Sequence, residues 1–566
     1  MMGLSGQKGQ WNLPKNCVFH AADRRMTPSQ AGPLLEAAIL SISNVQMLKK
    51  QAPPCDAAGL VSIASLRAWW GMHREIDTLI ITPAEMGRID HAAAASGLSS
   101  YGLMERAGQA VAAAALRRFP GAVRFAVLCG PGNNGGDGYV AARALRQAGA
   151  QIAVHALGDP TLLKDDAAAA FANFAGDAAP LADYAPRAGD VVIDALFGAG
   201  LSRDLPDEVL KIIHAVRQNV LPVLAIDLPS GIDGRTGQVR GAAFEAVASV
   251  TFMCRKPGHL LLPGKTLAGG VEVFDIGIPR RILAGHAGHM RVNTPAVWRV
   301  ALPPQTGATH KYMRGHLAVF SGPAAATGAA RLSAMAGLRA GAGLVTLLSP
   351  AQALSINAAH LTGIMLKPVD IAGDLAVVLK DERLKTFVLG PGFGDADRAK
   401  RYVRLLAEGG RHLVLDADGI SAFRDEPDTL FSLFSGGNPR LVLTPHDGEF
   451  ARLFPDLAAD AALSKIERAQ KAAARSNGVV ILKGADTVIA APDGRVLVNE
   501  NAPPWLATAG SGDVLAGIAG AHLTLGMPAF EAAAAAVWRH GEAGRIAGEG
   551  LTAEDLPGAI PPWPAG

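Results

Sequence analysis

The sequence predicts an α/β protein with two domains, each built around a mainly parallel sheet. Two series of short aliphatic runs alternate with Ala-rich helical stretches, one over residues 125–227 and the other over 316–483. Strands that alternate with helices in this way are typical of parallel βαβ units. Between the two series, over 279–305, the periodicity weakens and Pro and Gly gather, which predicts a domain boundary.

Length and composition fit two to four domains with cores of their own. The 566 residues are 49% hydrophobic and 18% charged, and a domain averages roughly 150 residues. The formal charge is +3 and aromatic residues make up 5% of the chain, so neither a basic footprint nor a stacking platform for nucleic acid is indicated. The longest stretch without charged residues, 340–366, contains Pro and several polar residues and does not predict a transmembrane helix.

Cysteine usage predicts a reducing compartment. Cys17, Cys55, Cys129 and Cys254 show neither C-x-x-C nor C-x-x-x-H spacing, so neither a disulfide framework nor a zinc site is indicated. We therefore expect a cytoplasmic protein.

The expected domain bounds divide the chain into four parts. Residues 1–71 are an extension, 72–290 the first domain, 291–304 a linker and 305–566 the second domain. The extension holds three acidic residues against seven Lys or Arg, which also fits a targeting leader. Because a well-patterned segment begins at Met72, we favour a disordered extension or a mis-called start, and assign it no function.

A helix is expected to begin just after Thr82. The run Thr82-Pro-Ala-Glu85 offers a Thr cap, a Pro at the first helical position and a Glu three residues after the cap.

A glycine-rich loop with polar residues follows the first predicted strand of that series. Gly130-Pro-Gly-Asn-Asn-Gly-Gly-Asp-Gly138 comes after the run 125–129 and opens a helix expected over 138–148. Backbone N–H groups at such a helix start bind a diphosphate, and the side-chain oxygens of Asn133, Asn134 and Asp137 also suit a cation or a substrate. The alternative is a structural turn, since Gly and Asn readily adopt left-handed conformations.

Two further loops place an acid at a strand end beside a glycine turn. They are Asp194-Ala-Leu-Phe-Gly-Ala-Gly-Leu-Ser-Arg-Asp204 and Asp227-Leu-Pro-Ser-Gly-Ile-Asp-Gly234. A single Asp in this position is more often a cap than a catalyst. Open α/β sheets bind ligands outside the carboxyl ends of their strands, so three such loops predict one shared pocket.

These three motifs resemble the NAD(P)H-hydrate epimerase domain over about residues 80–280. The resemblance implies a Rossmann-like three-layer αβα domain that interconverts the R and S epimers at C6 of hydrated NADH or NADPH. It also implies a potassium ion bound by Asn134, Asp194 and Ser230. The implied substrate-binding residues are Asn133, Asn134, Gly135, Gly136, Asp137, Gly198, Ala199, Gly200, Leu201, Ser202, Arg203, Asp204 and Asp227.

We expect Asp227 to transfer the proton in that reaction. A carboxylate at a strand end can be desolvated when a site closes, and its pKa can then shift toward a working value.

The second series of strands ends in loops that suit a phosphoryl-transfer site. Gly510-Ser-Gly-Asp513 precedes an Ala-rich helix whose free N–H groups can approach a phosphoryl group, while Asp513 can accept a hydroxyl proton. Lys483-Gly-Ala-Asp-Thr487 supplies a cation for a nucleotide, and Gly390–Gly394 allows a bulky ligand to approach closely. His446 and Glu449 follow another strand. Each has an ordinary alternative: a helix cap, a surface lysine or a packed histidine.

Taken together, GPGFG, TPHDGEF, LKGADT and AGSGDVLAG resemble the ribokinase-like NAD(P)H-hydrate dehydratase domain over about residues 305–560. GSGD stands for the commoner GTGD and keeps the hydroxyl, while in the segment His310–Gly315 the family's frequent Gly is Tyr312. The implied substrate contacts are Ala330, Gly392, His446 and Asp513. The implied nucleotide contacts are Lys483, Gly484, Ala485, Asp486, Thr487 and Gly512.

The resemblance implies that Asp513 deprotonates the C6 hydroxyl for attack on a terminal phosphoryl group. The phosphate ester then eliminates, driven by the lone pair of the ring nitrogen. The fused arrangement resembles the bacterial form, so we expect ADP as co-substrate, with Mg²⁺ bridging its phosphate oxygens. The expected partners are these small molecules, with no nucleic acid and no membrane, in a homo-oligomer.

Two alternatives stay open. The second domain could be a kinase for a small alcohol, since ribokinase-like folds share the G-x-G-D anion site. The first domain could be a non-catalytic binding module, although the Asn, Asp and Ser residues of the motifs are all present.

Overall fold

The first seven strands form one parallel sheet. They are β1 (Arg124–Cys129), β2 (Ile152–Ala156), β3 (Ala179–Pro180), β4 (Asp190–Ala195), β5 (Val223–Ile226), β6 (Ala248–Phe252) and β7 (Gly270–Phe274). In the computed structural model, which describes residues 78–304 and 311–564, their order is β3-β2-β1-β4-β5-β6-β7 and all neighbours run parallel. The expected extension and His310 lie outside the described residues.

Helices cover both faces of this sheet. They are α1 (Pro83–Ala95), α2 (Ser100–Arg118), α3 (Asn133–Gln147), α4 (Asp165–Phe174), α5 (Asp207–Gln218), α6 (Gly264–Leu267) and α7 (Arg280–His286). On one face, α3 packs so closely that a Cβ on Gly138 would lie 2.6 Å from that of Ala195. On the other face, Ile212 of α5 packs with Leu128 and Val192. The three-layer αβα arrangement is therefore confirmed.

Helix α1 begins where the sequence predicts. The Thr82 side chain accepts a hydrogen bond from the Glu85 amide at 3.2 Å, and the Glu85 carboxylate accepts one from the Thr82 amide at 2.7 Å. This reciprocal capping satisfies two amides that would otherwise lack partners in the first turn.

The remaining strands form a second, ten-stranded sheet. They are β8 (Met290–Val292), β9 (His316–Phe320), β10 (Leu344–Ser349), β11 (Met365–Pro368), β12 (Leu384–Leu389), β13 (His412–Leu415), β14 (Leu441–Leu443), β15 (Val479–Leu482), β16 (Val488–Ala490) and β17 (Val496–Val498). The order is β11-β10-β9-β12-β13-β14-β15-β16-β17-β8. The first seven in that order are parallel, whereas β16 is antiparallel to both of its neighbours.

Hydrophobic cores lie on both faces of the second sheet. Phe387 and Leu389 of β12 point into one core, and Val388 between them points into the other, as expected for a strand buried on both faces. The helices of this half are α8 (Pro295–Trp298), α9 (Gly328–Ala340), α10 (Ala351–His360), α11 (Ala372–Val378), α12 (Ala396–Glu408), α13 (Ala417–Ser421), α14 (Pro427–Leu433), α15 (Asp447–Leu453), α16 (Pro455–Ala459), α17 (Lys465–Ser476), α18 (Ser511–Thr524), α19 (Ala529–Ala547) and α20 (Leu556–Ala559).

The structure differs from the expected linker over 291–304. Met290–Val292 forms strand β8, which pairs in parallel with β17 at the edge of the second sheet. Trp298, a few residues later, is fully buried in the core of that half. Strand pairing and burial of a large side chain thus make this segment part of the second half, which the local weakness of periodicity did not indicate.

Both sheets belong to one compact unit. Across residues 78–304 and 311–564, none of the helices combines the length and the apolar character that crossing a membrane requires.

Candidate functional site

The glycine-rich loop of the first half folds mostly as helix. Helix α3 begins at Asn133, five residues before its expected start at Gly138, so Asn133, Asn134 and Asp137 lie in its first two turns. The glycines permit this because the backbone is crowded: a Cβ on Gly130 would lie 1.8 Å from the carbonyl oxygen of Leu196. The helix N-terminus is thereby set against the loop that follows β4.

The three predicted loops meet in a cavity of about 640 Å³ at the carboxyl ends of the parallel strands. The predicted substrate-binding residues that line it are Asn133, Asn134, Asp137, Gly198, Ala199, Gly200, Leu201, Ser202, Arg203 and Asp227. Three predicted residues, all within the described part of the chain, do not line the cavity: Gly135, Gly136 and Asp204. Gly135 is buried against the backbone of Gly130 and Gly136 against the Met104 side chain, whereas Asp204 is exposed.

Asp227 is held by three donors at the floor of this cavity. Its carboxylate accepts hydrogen bonds from the Ala199 amide at 2.9 Å and the Thr251 hydroxyl at 2.8 Å, and it pairs with the Lys256 ammonium at 2.7 Å. Burial disfavours the charged form, yet Lys256 and His259 outweigh burial and lower the pKa of Asp227 to about 2. The expected shift toward a neutral pKa is therefore wrong, because the sequence did not reveal Lys256.

Among the cavity residues that the sequence analysis did not identify, Lys256 and Asp90 interact with the charge of Asp227. Lys256 follows β6, the strand beside β5, so the rule that located the other loops at strand ends could have found it. Asp90 carried no loop signal because it lies within α1. Burial and the charge of Asp227 raise the pKa of Asp90 to about 6, although Lys256 opposes the shift. Burial, with the charges of Asp227 and Asp90, also raises the pKa of Asp137 well above its usual range.

The residues expected to bind potassium surround the turn that follows β4. Asp194 is fully buried, and its carboxylate accepts hydrogen bonds from the Ser230 amide at 2.7 Å and the Ser230 hydroxyl at 2.6 Å. Burial raises the pKa of Asp194 to about 6. A Cβ on Gly198 would lie 3.0 Å from Oδ1 of Asn134, while the buried amide nitrogen of Asn134 lacks a hydrogen-bond partner among the described residues.

The residues expected to bind potassium offer amide, carboxylate and hydroxyl oxygens near this turn. The partners of the Asp194 carboxylate named above are uncharged, so a bound cation would neutralise it. The Ser230 hydroxyl also contacts both the amide and the carbonyl of Phe197, at 2.8 and 3.1 Å. Over the described ranges, no three His, Cys, Asp or Glu side chains are grouped as metal ligands.

In the second half, a basic and an acidic residue meet at the start of α18. Lys483 directly follows β15, and its ammonium lies 2.8 Å from Oδ1 of Asp416 and 3.6 Å from Oε2 of Glu449. A Cβ on Gly512 would lie 3.4 Å from the same ammonium and 3.9 Å from Oδ2 of Asp416. The LKGADT and GSGD motifs, as expected, converge on one point, and Asp416 is an additional acid that the sequence analysis missed.

Asp513 has the pKa of a base that works near neutrality. It lies in the first turn of α18, which begins at Ser511 after Gly510 with φ 87°. Burial and the charge of Asp416 raise the pKa of Asp513 to about 7, with Lys483 lowering it and Asp418 and Glu449 adding to the rise. A carboxylate with this pKa can both accept and release a proton at neutral pH.

His446 caps a helix while its ring remains accessible. Its Nδ1 accepts hydrogen bonds from the amides of Gly448 and Glu449 at 3.0 and 3.3 Å. The side chain is 55% exposed, so the capping alternative and a ligand contact through Nε2 are both compatible with its position.

The structure does not bring Ala330 to the surface of the site. Ala330 lies in α9 and is fully buried in the core, because its helix turns this face toward the sheet. Gly392 has φ 59° and packs against Gly322, where a Cβ would lie 1.7 Å from the Gly392 carbonyl oxygen. The close contact therefore requires glycine at position 322, and the positive φ favours glycine at position 392.

The turn of residues 483–487, expected to bind a nucleotide, is held from several sides. Gly484 and Thr487 close it with hydrogen bonds of 2.7 and 3.2 Å. Asp486 is buried and pairs with Lys465 at 2.6 Å. The Ala485 carbonyl accepts a hydrogen bond from Lys265 of the first half at 2.8 Å.

Comparison with known proteins matches both halves. The NAD(P)H-hydrate dehydratase family matches residues 317–560, and the family described as YjeF-related protein N-terminus matches residues 100–258. A solved structure of the ADP/ATP-dependent NAD(P)H-hydrate dehydratase of Bacillus subtilis, co-crystallized with ATP and Mg²⁺, is 24% identical, covers 48% of this chain and 95% of that chain, and has a TM-score of 0.41.

Relatives match over most of their length. The bifunctional NAD(P)H-hydrate repair enzyme of Moorella thermoacetica is 37% identical over 492 residues, which are 82% of this chain and 92% of the relative. The enzyme of the same name from Escherichia coli is 31% identical over 473 residues, 81% of this chain and 88% of the relative. Both resemblances drawn from the motifs are thereby confirmed, and the chain belongs to the family of bifunctional NAD(P)H-hydrate repair enzymes.

Proposed function

We propose that this chain restores hydrated NADH and NADPH to the active cofactors. The first half would epimerise the R and S forms, and the second half would dehydrate the S form with ADP, yielding AMP and phosphate. The convergence of Lys483, Asp416, Gly512 and Asp513 at the start of α18 carries the proposal. We place the epimerase domain over residues 78–289 and the dehydratase domain over 290–564, since β8 belongs to the second sheet.

The dehydration has a direct chemical reason. Hydroxide is a poor leaving group, so Asp513 would take the proton of the C6 hydroxyl while that oxygen attacks the terminal phosphoryl group of ADP, releasing AMP. The C6–O bond of the phosphate ester then breaks as the ring nitrogen donates its lone pair, and loss of a proton from C5 restores the dihydronicotinamide. Lys483, with the free N–H groups of α18, would stabilise the phosphoryl charge, and Mg²⁺ bound with ADP would supply further positive charge there.

Epimerisation requires proton transfer at the same C6 hydroxyl. Protonation of this hydroxyl lets water leave as the ring nitrogen donates its lone pair, and water can return to the other face. Asp227 remains our candidate for proton transfer, as the base that takes the proton from the returning water, and its charge would also stabilise the cationic ring. Asp90 joins it, because a carboxyl group with a pKa of about 6 can donate and accept a proton near neutrality.

We also propose that K⁺ binds at Asn134, Asp194 and Ser230. The uncharged donors around the buried carboxylate of Asp194 support this assignment. The ion would supply the missing countercharge and hold the turn at Gly198 against the cavity. Family resemblance further suggests a homo-oligomer in the cytoplasm.

Product analysis tests the dehydratase against the small-alcohol kinase. We would incubate the full chain with the S hydrate of NADH, ADP and Mg²⁺, and follow NADH by absorbance and phosphorus species by ³¹P NMR. The repair reaction yields NADH, AMP and inorganic phosphate in equal amounts. A kinase would leave a stable phosphomonoester on an added alcohol and would not restore NADH. Replacing ADP by ATP in the same assay compares the two nucleotides.

A further inference from the structure

One segment of the first half reaches from the epimerase cavity to the nucleotide turn of the second half. At its start, Lys256 pairs with Asp227 in the cavity at 2.7 Å. Leu260 and Leu261 are then buried in the core of the second half. At its end, the Leu262 amide and the Lys265 ammonium bind the turn 483–487.

Both halves contribute hydrogen bonds that hold the turn from outside, and two of these bonds come from the first half. The Leu262 amide donates to Oδ2 of Asp486 at 2.9 Å, and Lys265 donates to the Ala485 carbonyl at 2.8 Å. From the second half, Lys465 donates to Oδ1 of Asp486 at 2.6 Å and to the Lys483 carbonyl at 3.2 Å. The second half therefore supplies only some of the hydrogen bonds that hold the turn, and the first half supplies those to the Ala485 carbonyl and to Oδ2 of Asp486.

The contact of Lys265 fixes the orientation of a peptide group in the turn. The peptide unit is planar and trans, so the N–H of Asp486 points away from the Ala485 carbonyl. Because Lys265 draws that carbonyl toward the first half, the N–H of Asp486 faces the opposite side. Lys265 also adds a positive charge close to Asp486 and Lys465.

We propose that Lys265, with the Leu262 amide, is a positioning residue of the dehydratase, supplied by the epimerase half to hold the nucleotide-binding turn. This inference rests on the proposed binding of the adenine nucleotide by residues 483–487. It follows that nucleotide affinity in the second half depends on a side chain that lies outside that half.

Arg235 provides a matched comparison. It too belongs to the first half, donates to a carbonyl of the second half, that of Ala462, at 3.1 Å, and pairs with Glu467 at 2.5 Å. Neither partner lies in the turn 483–487. Removing the Arg235 side chain would weaken the contact between the two halves without removing a direct contact to the turn.

The test measures ADP–Mg²⁺ binding to the full chain by isothermal titration calorimetry, without hydrated cofactor. Lys265→Met is expected to raise the Kd for ADP about fivefold to tenfold, as loss of a charged hydrogen bond predicts. Lys265→Arg should restore most of the affinity, and Arg235→Ala should leave it unchanged. In steady-state assays, Lys265→Met should raise the KM for ADP with kcat and the epimerase rate little altered.

The outcomes separate this inference from the function on which it rests. If wild-type protein does not bind ADP or ATP, the proposed nucleotide site itself fails. If wild-type protein binds and Lys265→Met binds equally well, the positioning role is wrong. An equal loss in Lys265→Met and Arg235→Ala would also overturn it, since the effect would then reflect general loosening. Thermal unfolding of each variant shows whether the fold is retained.

Discussion

The ammonium group of Lys256 lies 2.7 Å from the carboxylate of Asp227, and the two side chains are only 3% and 16% exposed. A buried carboxylate without a cation would have a raised pKa, whereas this pair keeps Asp227 charged. Thr251 accepts a hydrogen bond from the same ammonium at 2.8 Å. The geometry makes Lys256 the counterion of the residue on which the epimerase proposal depends.

Lys256→Met should therefore destabilise the protein strongly. Removing one partner of a buried ion pair leaves an uncompensated charge and costs about 3–5 kcal/mol. Urea unfolding at neutral pH measures the loss. Lys211→Met, at an exposed position of α5, is the control and should change the free energy of unfolding little. Similar losses in both variants would contradict the buried pair.

The pH dependence of dehydration should follow Asp513. As a base it must be unprotonated, so kcat/KM is expected to rise with pH through a pKa of about 7. Because the charge of Asp416 raises that pKa, Asp416→Asn should move the rise to lower pH. Asp425→Asn, at an exposed position of the same half, should leave it in place. A rise in the wild type below about pH 5, near an ordinary carboxyl group, would contradict the assignment.

The strand-end loops could be predicted because parallel sheets bind ligands at the carboxyl ends of their strands. The structure places Asp137, Gly198 and Asp227, from three such loops, in one cavity. The pKa of Asp227 was not predicted, since it depends on Lys256, which carries no motif of its own and can be located only by its place after β6. Asp90 was not predicted either, because the only feature that the sequence analysis identified in its helix was the N-terminal cap. The edge strand β8 depends on pairing with β17 about two hundred residues later, and short-range periodicity does not detect such a partner.

Substitution of Gly198 tests whether the epimerase cavity tolerates a displacement of its side chains. A Cβ here would lie 3.0 Å from Oδ1 of Asn134 and 3.1 Å from Oδ2 of Asp227, so both side chains must shift. Gly198→Ala is expected to lower the epimerase rate about tenfold or more, since small misplacements of reacting groups are costly.

Gly121→Ala, outside the cavity lining, is the matched control for that variant, because its Cβ would meet none of the described atoms within 4 Å. It should retain epimerase activity, and dehydratase activity should be retained in both. Equal epimerase rates for the two alanine variants would show that the cavity tolerates the shift.

Potassium should stabilise the first half in a manner that depends on Asp194. Ligand binding to the folded state raises the unfolding temperature, so KCl should raise Tm more than tetramethylammonium chloride at equal ionic strength. Asp194→Asn should abolish the difference, whereas Asp207→Asn, at an exposed position of α5, should keep it. Persistence of the potassium effect in Asp194→Asn would place the ion elsewhere.

Recovery of NADH from a mixture of R and S hydrates, with ADP, Mg²⁺ and K⁺, tests the central claim most directly. The wild type should convert the whole mixture, Asp227→Ala should convert the S form and leave the R form to its slow spontaneous inversion, and Asp513→Ala should convert neither. Absence of ADP- or ATP-dependent recovery by the wild-type protein would contradict the repair function.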